Sequence, residues 1–273
     1  MKEKIFSSVS EKDVTRAIVS EEVNIEEIYQ YIKKKISRIN IEVREEFFKH
    51  VLFSNLEMIK HVARKMAEAK VRDMKNRNFE FTPLPAEIEY EERLIRGESK
   101  ATGVIYDGIK LCQICRELIP ENERTWEHCH IIFTNRLFAT RDESDKRYHA
   151  RVSIYSFPCI ISTTGIVEAP VKPREFYLKL RMGVDLYSLK KEFEDRFIDY
   201  GDERMTEVMK RYVLQAIFFH STGEAFCNNI NCRLYNAHWQ EEVIQSQLKG
   251  GLCPKHQKIL EKMGGVGGKY EKV

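Results

Sequence analysis

The sequence has no long hydrophobic run, no segment typical of an export signal and no strong excess of one charge. Its longest stretch without a charged residue, 152–167, is too short and too rich in Ser and Thr to span a bilayer. Lys and Arg number 45 against 42 Asp and Glu, so the net charge of +3 gives no indication of a concentrated nucleic-acid-binding face. The 273 residues, 42% of them hydrophobic, suffice for one large domain or two small ones. We therefore expect a cytoplasmic globular protein with no membrane partner.

Seven cysteines are the most informative residues in this composition. An odd number of thiols in a reducing compartment favours metal binding or simple burial over a framework of disulfides. They are Cys112, Cys115, Cys129, Cys159, Cys227, Cys232 and Cys253.

The pattern along the chain is that of an α/β protein. Apolar residues at helical spacing predict helices near 25–36, 47–67, 111–118 and 203–221, the last with Asp202 as N-cap. Alternation and β-rich composition predict strands near 39–43, 103–106, 130–133, 150–157 and 159–167. The prolines at 83 and 85 and the charged stretch 87–100 predict an N-terminal α/β region at 1–98 and a second domain at 99–263, or one domain with an internal linker. Glycine-rich residues 264–273 predict a flexible tail.

Two short-spaced pairs of metal-binding side chains lie near the C-terminus. Cys227 and Cys232 are separated by four residues, and Cys253 and His256 by two. A structural zinc ion takes four N or S ligands in a tetrahedral arrangement. The spacing therefore predicts one structural zinc per chain bound by these four side chains, in preference to buried thiols beside an exposed histidine.

The remaining cysteines have a weaker pattern. Cys112 and Cys115 have the spacing of a zinc knuckle, but they fall inside a predicted amphipathic helix. In a strand, His128 and His130 would face away from Cys129, so these three side chains would not converge. Burial in the core is the favoured interpretation, as it is for Cys159, and a second zinc site is the alternative.

The segment from Arg211 to Cys232, RYVLQAIFFHSTGEAFCNNINC, resembles the active-site region of archaemetzincins. These metzincin-like proteases carry two histidines and a glutamate on a helix, a glycine turn and a third histidine. A structural zinc site follows, and His220, Gly223 and the four C-terminal ligands fall at matching places. The tracts at 106–108, 130–137, 145–151 and 161–170 also resemble a related archaeal family of metallopeptidase-like proteins. The resemblance implies a zincin-like mixed sheet, a long motif helix and a C-terminal Cys3His zinc module.

The positions that carry catalysis in the metzincin pattern are replaced. Ala216 stands at the first histidine, Ile217 at the general-base glutamate and Phe226 at the third histidine. A catalytic zinc needs about three protein ligands, a bound water and a carboxylate that takes its proton. His220 is a remnant of this set. We therefore predict a catalytically degenerate protein that binds a peptide or protein in a zincin-type cleft, with residues 161–169 as the docking strand.

Two other functions stay open. An active metallopeptidase could use a rearranged metal site around His220, in which a helical His-x-x-Glu pair among His238, Glu241 and Glu242 combines with His220 or Asp202. A zinc-stabilised nucleic-acid or ribosome-associated binder is suggested by a cluster of basic and aromatic residues. This cluster comprises Arg136, Arg141, Lys146, Arg147, Tyr148, Arg151 and Tyr155.

Overall fold

The computed structural model of the chain describes residues 4–5, 23–52, 55–75 and 81–264. The predicted tail therefore lies outside the described residues, apart from Gly264. The described residues form two compact units: residues 42–52, 55–75 and 81–165 with 4–5, and residues 23–41 with 166–264. The boundary predicted at residue 98 falls inside the first unit, where Ile95 and Tyr106 belong to one hydrophobic core. Within the described ranges, no helix is both long and apolar enough to cross a membrane.

The helices and strands follow one another in a mixed order. They are β1 (Lys4–Ile5), α1 (Ile25–Lys35), β2 (Asn40–Ile41), α2 (Phe47–Leu52), α3 (Leu56–Glu68), α4 (Pro85–Ile95), β3 (Ile105–Asp107), α5 (Gly108–Leu118), β4 (His128–Cys129), β5 (Ile131–Thr134), β6 (Leu137–Asp142), β7 (Arg147–Arg151), β8 (Ser153–Ile154), β9 (Cys159–Ser162), α6 (Thr163–Glu168), α7 (Arg174–Arg181), α8 (Leu186–Glu192), α9 (Met205–Thr222), α10 (Gln240–Val243) and α11 (Pro254–Lys262).

The first unit contains two three-stranded sheets that mix parallel and antiparallel pairs. In one, β6 lies between β3, to which it is parallel, and β7, to which it is antiparallel. In the other, β9 lies between β5, to which it is parallel, and β8, to which it is antiparallel. The chain is therefore a mixed α/β protein, as predicted, but with small sheets where one larger sheet was expected.

The single helix predicted over 47–67 is instead two helices, α2 and α3. Asn55 has an extended backbone, and its side-chain oxygen accepts the N–H of Met58 at 3.0 Å. An asparagine in this position caps a new helix, because its side chain satisfies a backbone donor that has no partner in the first turn. The apolar stripe therefore continues across a break that hydrophobic periodicity alone does not reveal.

The β-rich run at 159–167 is also not a single strand. Strand β9 ends at Ser162, whose hydroxyl oxygen accepts the N–H of Gly165 at 2.8 Å as α6 begins. Ile161 is fully buried and pairs with Phe133 on one side and Ser153 on the other. The prediction that residues 161–169 form a docking strand is therefore wrong, because β9 has no free edge and the chain then turns into a helix.

The second unit is built on α9, which packs against α1. This helix extends over Met205–Thr222, close to the predicted 203–221. Arg204, rather than Asp202, directly precedes its first residue, and the Asp202 carboxylate accepts the Arg204 N–H at 2.9 Å. Most of α9 is buried, so its sequence is apolar on more than one face.

Candidate metal centre

The end of α9 leads the chain into the first pair of candidate ligands. Gly223 ends the helix at a φ of 78°, a left-handed conformation that glycine adopts without steric cost, and its N–H bonds to Phe219 O at 2.7 Å. Backbone hydrogen bonds then hold residues 227–234, which we call the ligand loop. The Cys227 N–H donates to Leu234 O at 2.8 Å, and the Cys232 N–H donates to Asn229 O at 2.9 Å. The two thiols are thus fixed by a tight turn of the chain.

The second pair of candidate ligands straddles the start of α11. Cys253 is the N-cap, with φ −67° and ψ 162°, and Pro254 takes the first helical position, where its missing N–H is no loss. His256 follows in the first turn and is buried against the ring of Phe218, with the two ring centroids 5.6 Å apart. The bend of the backbone at Cys253 turns its thiol towards the imidazole, so that the Cys253 Sγ to His256 Nδ1 distance is 3.0 Å.

The four side chains converge on one point. Their ligand atoms all lie within 4.8 Å of one another. The Cys227 Sγ to Cys253 Sγ distance is 3.9 Å, and the Cys232 Sγ to His256 Nδ1 distance is 3.7 Å. A tetrahedral zinc site with Zn–S bonds of about 2.3 Å has S···S edges of about 3.8 Å. The cluster therefore fits a tetrahedral metal ion, and its Cys3His composition favours zinc.

Burial and hydrogen bonding set the pKa values of the side chains in this cluster. It raises the pKa of the Cys232 thiol to about 12. At Cys253 partial burial also opposes ionisation, but the backbone N–H of His256 and neighbouring donors outweigh it and lower the pKa of that thiol. Burial lowers the pKa of His256, which keeps the imidazole neutral. Neutral imidazole and thiolate are the forms that bind metal, so metal binding at this cluster must release thiol protons.

Two arginines that the sequence patterns did not single out support the segment that leads to Cys253. The Arg211 side chain is buried, and it donates from Nη1 to Gly250 O at 3.2 Å. Arg233 donates from Nε to the same carbonyl at 2.5 Å, and Cys232 forms a parallel bridge with Gly251. The two guanidinium groups thus fix the segment that leads to Cys253. The sequence feature that indicates a tightly packed backbone here is the pair Gly250 and Gly251, shortly before Cys253. A side chain at Gly250 would collide with the neighbouring backbone.

The other four cysteines belong to the core of the first unit. All are buried, and Cys112 and Cys115 lie on α5 among apolar side chains. Burial raises the pKa of Cys112 to about 11 and that of Cys159 to about 12. Among residues 4–5, 23–52, 55–75 and 81–264, the C-terminal cluster is the one group of three or more potential ligands that converges. His128, Cys129 and His130 do not join Cys112 and Cys115 at a second site.

The residues at the positions that carry catalysis in the metzincin pattern do not lie together as the ligands of a catalytic zinc would. Ala216 and Ile217 are 0% and 1% exposed in the interior of α9, whereas Phe226 is 44% exposed after the helix has ended. His220 is half-buried near the end of α9 and belongs to no converging group of potential ligands in the described part of the chain.

The residues considered for a rearranged site around His220 have structural contacts of their own. The Glu242 carboxylate accepts the backbone N–H of His238 at 2.7 Å and that of Trp239 at 3.0 Å, so it caps α10. Glu241 accepts from Arg196, with the shorter distance 2.6 Å. Asp202 forms an ion pair with Arg204 at 2.6 Å.

The basic cluster between 136 and 151 does not form one exposed face. The Arg136 side chain is 4% exposed and its guanidinium lies 4.9 Å from the centre of the Phe48 ring. Arg151 donates from Nε to Thr140 Oγ1 at 2.7 Å. The Arg136 side chain, the first basic residue of the cluster, is therefore too buried to contact a phosphate at the surface.

Comparison with known proteins identifies the family to which the sequence belongs. No curated protein and no solved structure matches the chain significantly. The model of a probable metallopeptidase family, DUF6775, matches residues 9–263, which include α9 and all four ligands of the C-terminal cluster. Because this match covers most of the sequence, the chain belongs to the probable metallopeptidase family DUF6775.

Proposed function

We propose that this protein is a catalytically degenerate, archaemetzincin-like member of its family that retains one structural zinc per chain and binds a peptide or protein. Cys227, Cys232, Cys253 and His256 would hold the zinc, which leaves no open position for water or substrate. When bound, the ion supplies a cross-link between the ligand loop after α9 and the start of α11. A reducing cytoplasm would keep these thiols free for the metal.

The burial of Ala216 and Ile217 carries the proposal of degeneracy. Both lie in the hydrophobic interior of α9, where neither side chain has an atom that could ligate a metal or take a proton from water. A water-activating zinc needs three ligands and a nearby base. His220 alone does not supply that set, so loss of hydrolysis with retention of a binding scaffold is the function that this arrangement supports best.

Zincin-like architecture is part of the same proposal. The mixed sheets of the first unit and the long helix α9 support it, as does the C-terminal cluster. Peptide binding is supported by the family membership and by the loss of the catalytic positions from a scaffold of this kind. With β9 enclosed on both edges, a peptide would have to contact another part of the chain.

A panel of fluorogenic and fluorescein-labelled unstructured peptides tests this function on the zinc-loaded full chain. We expect saturable binding of some peptides in fluorescence anisotropy, with no cleavage in mass spectrometry after prolonged incubation. Chelator-sensitive turnover that His220→Ala abolishes would instead establish an active peptidase with a rearranged site. Absence of binding across the panel, with zinc bound and the chain folded, would contradict the binding function.

A further inference from the structure

The hairpin of α7 and α8 carries an unusual density of exposed apolar side chains. Seven large apolar residues between 177 and 187, a segment we name the hairpin tip, are exposed: Tyr177, Leu178, Leu180, Met182, Val184, Leu186 and Tyr187. Met182 is 82% exposed and Tyr187 is 78% exposed. Scattered apolar residues are normal on a protein surface, but a concentration of this kind marks a surface that meets a partner.

The hairpin tip is presented by a well-packed base. Phe176 of α7 is buried against Phe193 and Phe197, with ring centroids 5.9 Å and 5.7 Å apart, and Leu189 of α8 completes this small core. Gly183 ends α7 at a φ of 88°, and the Asp185 carboxylate accepts the Ser188 N–H at 2.9 Å to begin α8. Every residue from 180 to 188 is exposed, so the tip projects from this base. A pocket lies on its α8 side, where Tyr187, Lys190 and Lys191 line it together with Glu194, Asp195 and Asp199.

The hairpin tip and the turn of α8 that follows it are positively charged. Residues 177–191 contain four cations, Lys179, Arg181, Lys190 and Lys191, against the carboxylate of Asp185, a net charge of +3. Lys179 pairs with Glu192, and Lys190 pairs with Asp199 at 2.6 Å, so these two carboxylates outside the segment reduce its net charge from +3 to +1. Within the described residues, Arg181 and Lys191 are exposed and form no ion pair. Two cations are thus available to an anionic partner beside the apolar side chains.

The combination of exposed apolar side chains and unpaired cations distinguishes between a second copy of the chain and a lipid surface as the partner of the hairpin tip. A two-fold contact between copies of the chain would bring Arg181 and Lys191 of one tip close to those of the other, which like-charge repulsion opposes. A lipid surface is soft enough to accept separate apolar side chains from a projecting tip, and anionic headgroups attract Lys and Arg side chains that have no ion pair. Tyrosine is also favoured at the boundary between headgroups and acyl chains.

We propose that the hairpin tip docks on an anionic lipid surface. Met182 and Tyr187 enter the boundary between headgroups and acyl chains, and Arg181 and Lys191 contact lipid phosphates. The chain is then a peripheral membrane protein. The sequence prediction of no membrane partner rested on the absence of long apolar runs, and it could not detect this surface because charged residues interrupt the apolar ones.

Vesicle sedimentation tests the apolar contribution. The zinc-loaded full chain is mixed with vesicles of equal parts phosphatidylglycerol and phosphatidylcholine, and with vesicles of phosphatidylcholine alone. We expect binding to the first vesicles that weakens as salt is raised, because the attraction is partly electrostatic. Met182→Ser/Tyr187→Ser should weaken this binding at least about tenfold, since both apolar side chains are lost from the interface. Leu56→Ser/Met58→Ser, which removes two exposed apolar side chains of α3, should leave it unchanged.

A second pair of variants tests the charges. Each cation near an anionic surface contributes about fivefold in affinity, so Arg181→Gln/Lys191→Gln should weaken binding about 25-fold at low salt. Lys60→Gln/Arg64→Gln removes the same charge from exposed positions of α3 and should have a small effect. Both pairs lie at the surface, and circular dichroism verifies that each variant is folded.

Three results would overturn the proposal. The first is absence of binding to anionic vesicles at low salt. The second is binding that the tip variants leave unchanged, which would assign it to another surface. The third is a mass in sedimentation equilibrium that falls from dimer to monomer in Met182→Ser/Tyr187→Ser without vesicles, which would assign the tip to a second copy of the chain.

Discussion

Cys112 and Cys115 in α5 have the same spacing as Cys253 and His256 at the start of α11, with two residues between them in each pair. In α5 both thiols lie inside a helix whose buried face packs into the core. At α11 the pair straddles a helix N-terminus, and the extended backbone of Cys253 brings sulfur and imidazole to 3.0 Å. The comparison teaches that two ligands at this spacing form part of a metal site where the backbone changes direction between them and a second pair of ligands lies close by.

Removal of the C-terminal metal should have the largest effect of any change to the cysteines. Structural zinc contributes an apparent free energy of about 10 kcal/mol or more in small modules. We expect Cys227→Ser/Cys232→Ser to lower the melting temperature by more than about 10 °C. Amide hydrogen exchange should show lost protection from Cys227 to Lys262 and unchanged protection in α5. Equal loss in both places, or none, would break the distinction between the two groups.

A glycine substitution sharpens the comparison by disturbing the segment that leads to Cys253 without changing a candidate ligand. A Cβ at Gly250 would lie 2.5 Å from Ser246 O and 2.7 Å from Asn231 O, whereas one at Gly251 would meet no atom within 4 Å. Gly250→Ala should therefore destabilise the chain by about 1–3 kcal/mol in urea unfolding and weaken zinc retention in chelator competition. Gly251→Ala is the matched control, and a similar loss there would contradict the steric explanation.

Substitution of the core thiols should act on packing alone. Cys112→Ala and Cys115→Ala each remove a buried sulfur from the core of the first unit, which should cost about 1–2 kcal/mol in free energy of unfolding. Zinc content, measured by mass spectrometry with an inductively coupled plasma, should stay at the wild-type value. A variant that lost metal would restore the alternative of a second zinc site.

The smallest effect is a dependence of stability on alkaline pH. Burial raises the pKa of Cys112 to about 11 in the folded chain, whereas an unfolded thiol ionises near pH 8.5. The folded state therefore keeps the Cys112 proton to a higher pH than the unfolded state does. The contribution of this thiol to the free energy of unfolding is complete below pH 8.5 and is lost as pH rises towards 11. Unfolding at pH 8 and pH 10 should show a shallower loss in Cys112→Ala than in the wild type, by about 1 kcal/mol. Equal slopes would indicate an exposed thiol.

The sequence predicted the mixed α/β class, α9 to within two residues at its start and the convergence of four C-terminal side chains. These features follow from local periodicity and from ligand spacing. It did not predict the break at Asn55 or the helix after Ser162, because single capping side chains decide both. Arg136 was included in the basic cluster that suggests nucleic-acid binding, yet its guanidinium is buried beside Phe48, and no local pattern distinguishes such an arginine from a solvated one.

The zinc content of three purified chains tests the central claim, that the metal is held at the C-terminal cluster and that His220 has no part in it. We expect one zinc per chain in the wild type, one in His220→Ala and none in Cys227→Ser/Cys232→Ser. Two zinc ions in the wild type, or loss of metal in His220→Ala, would contradict the account.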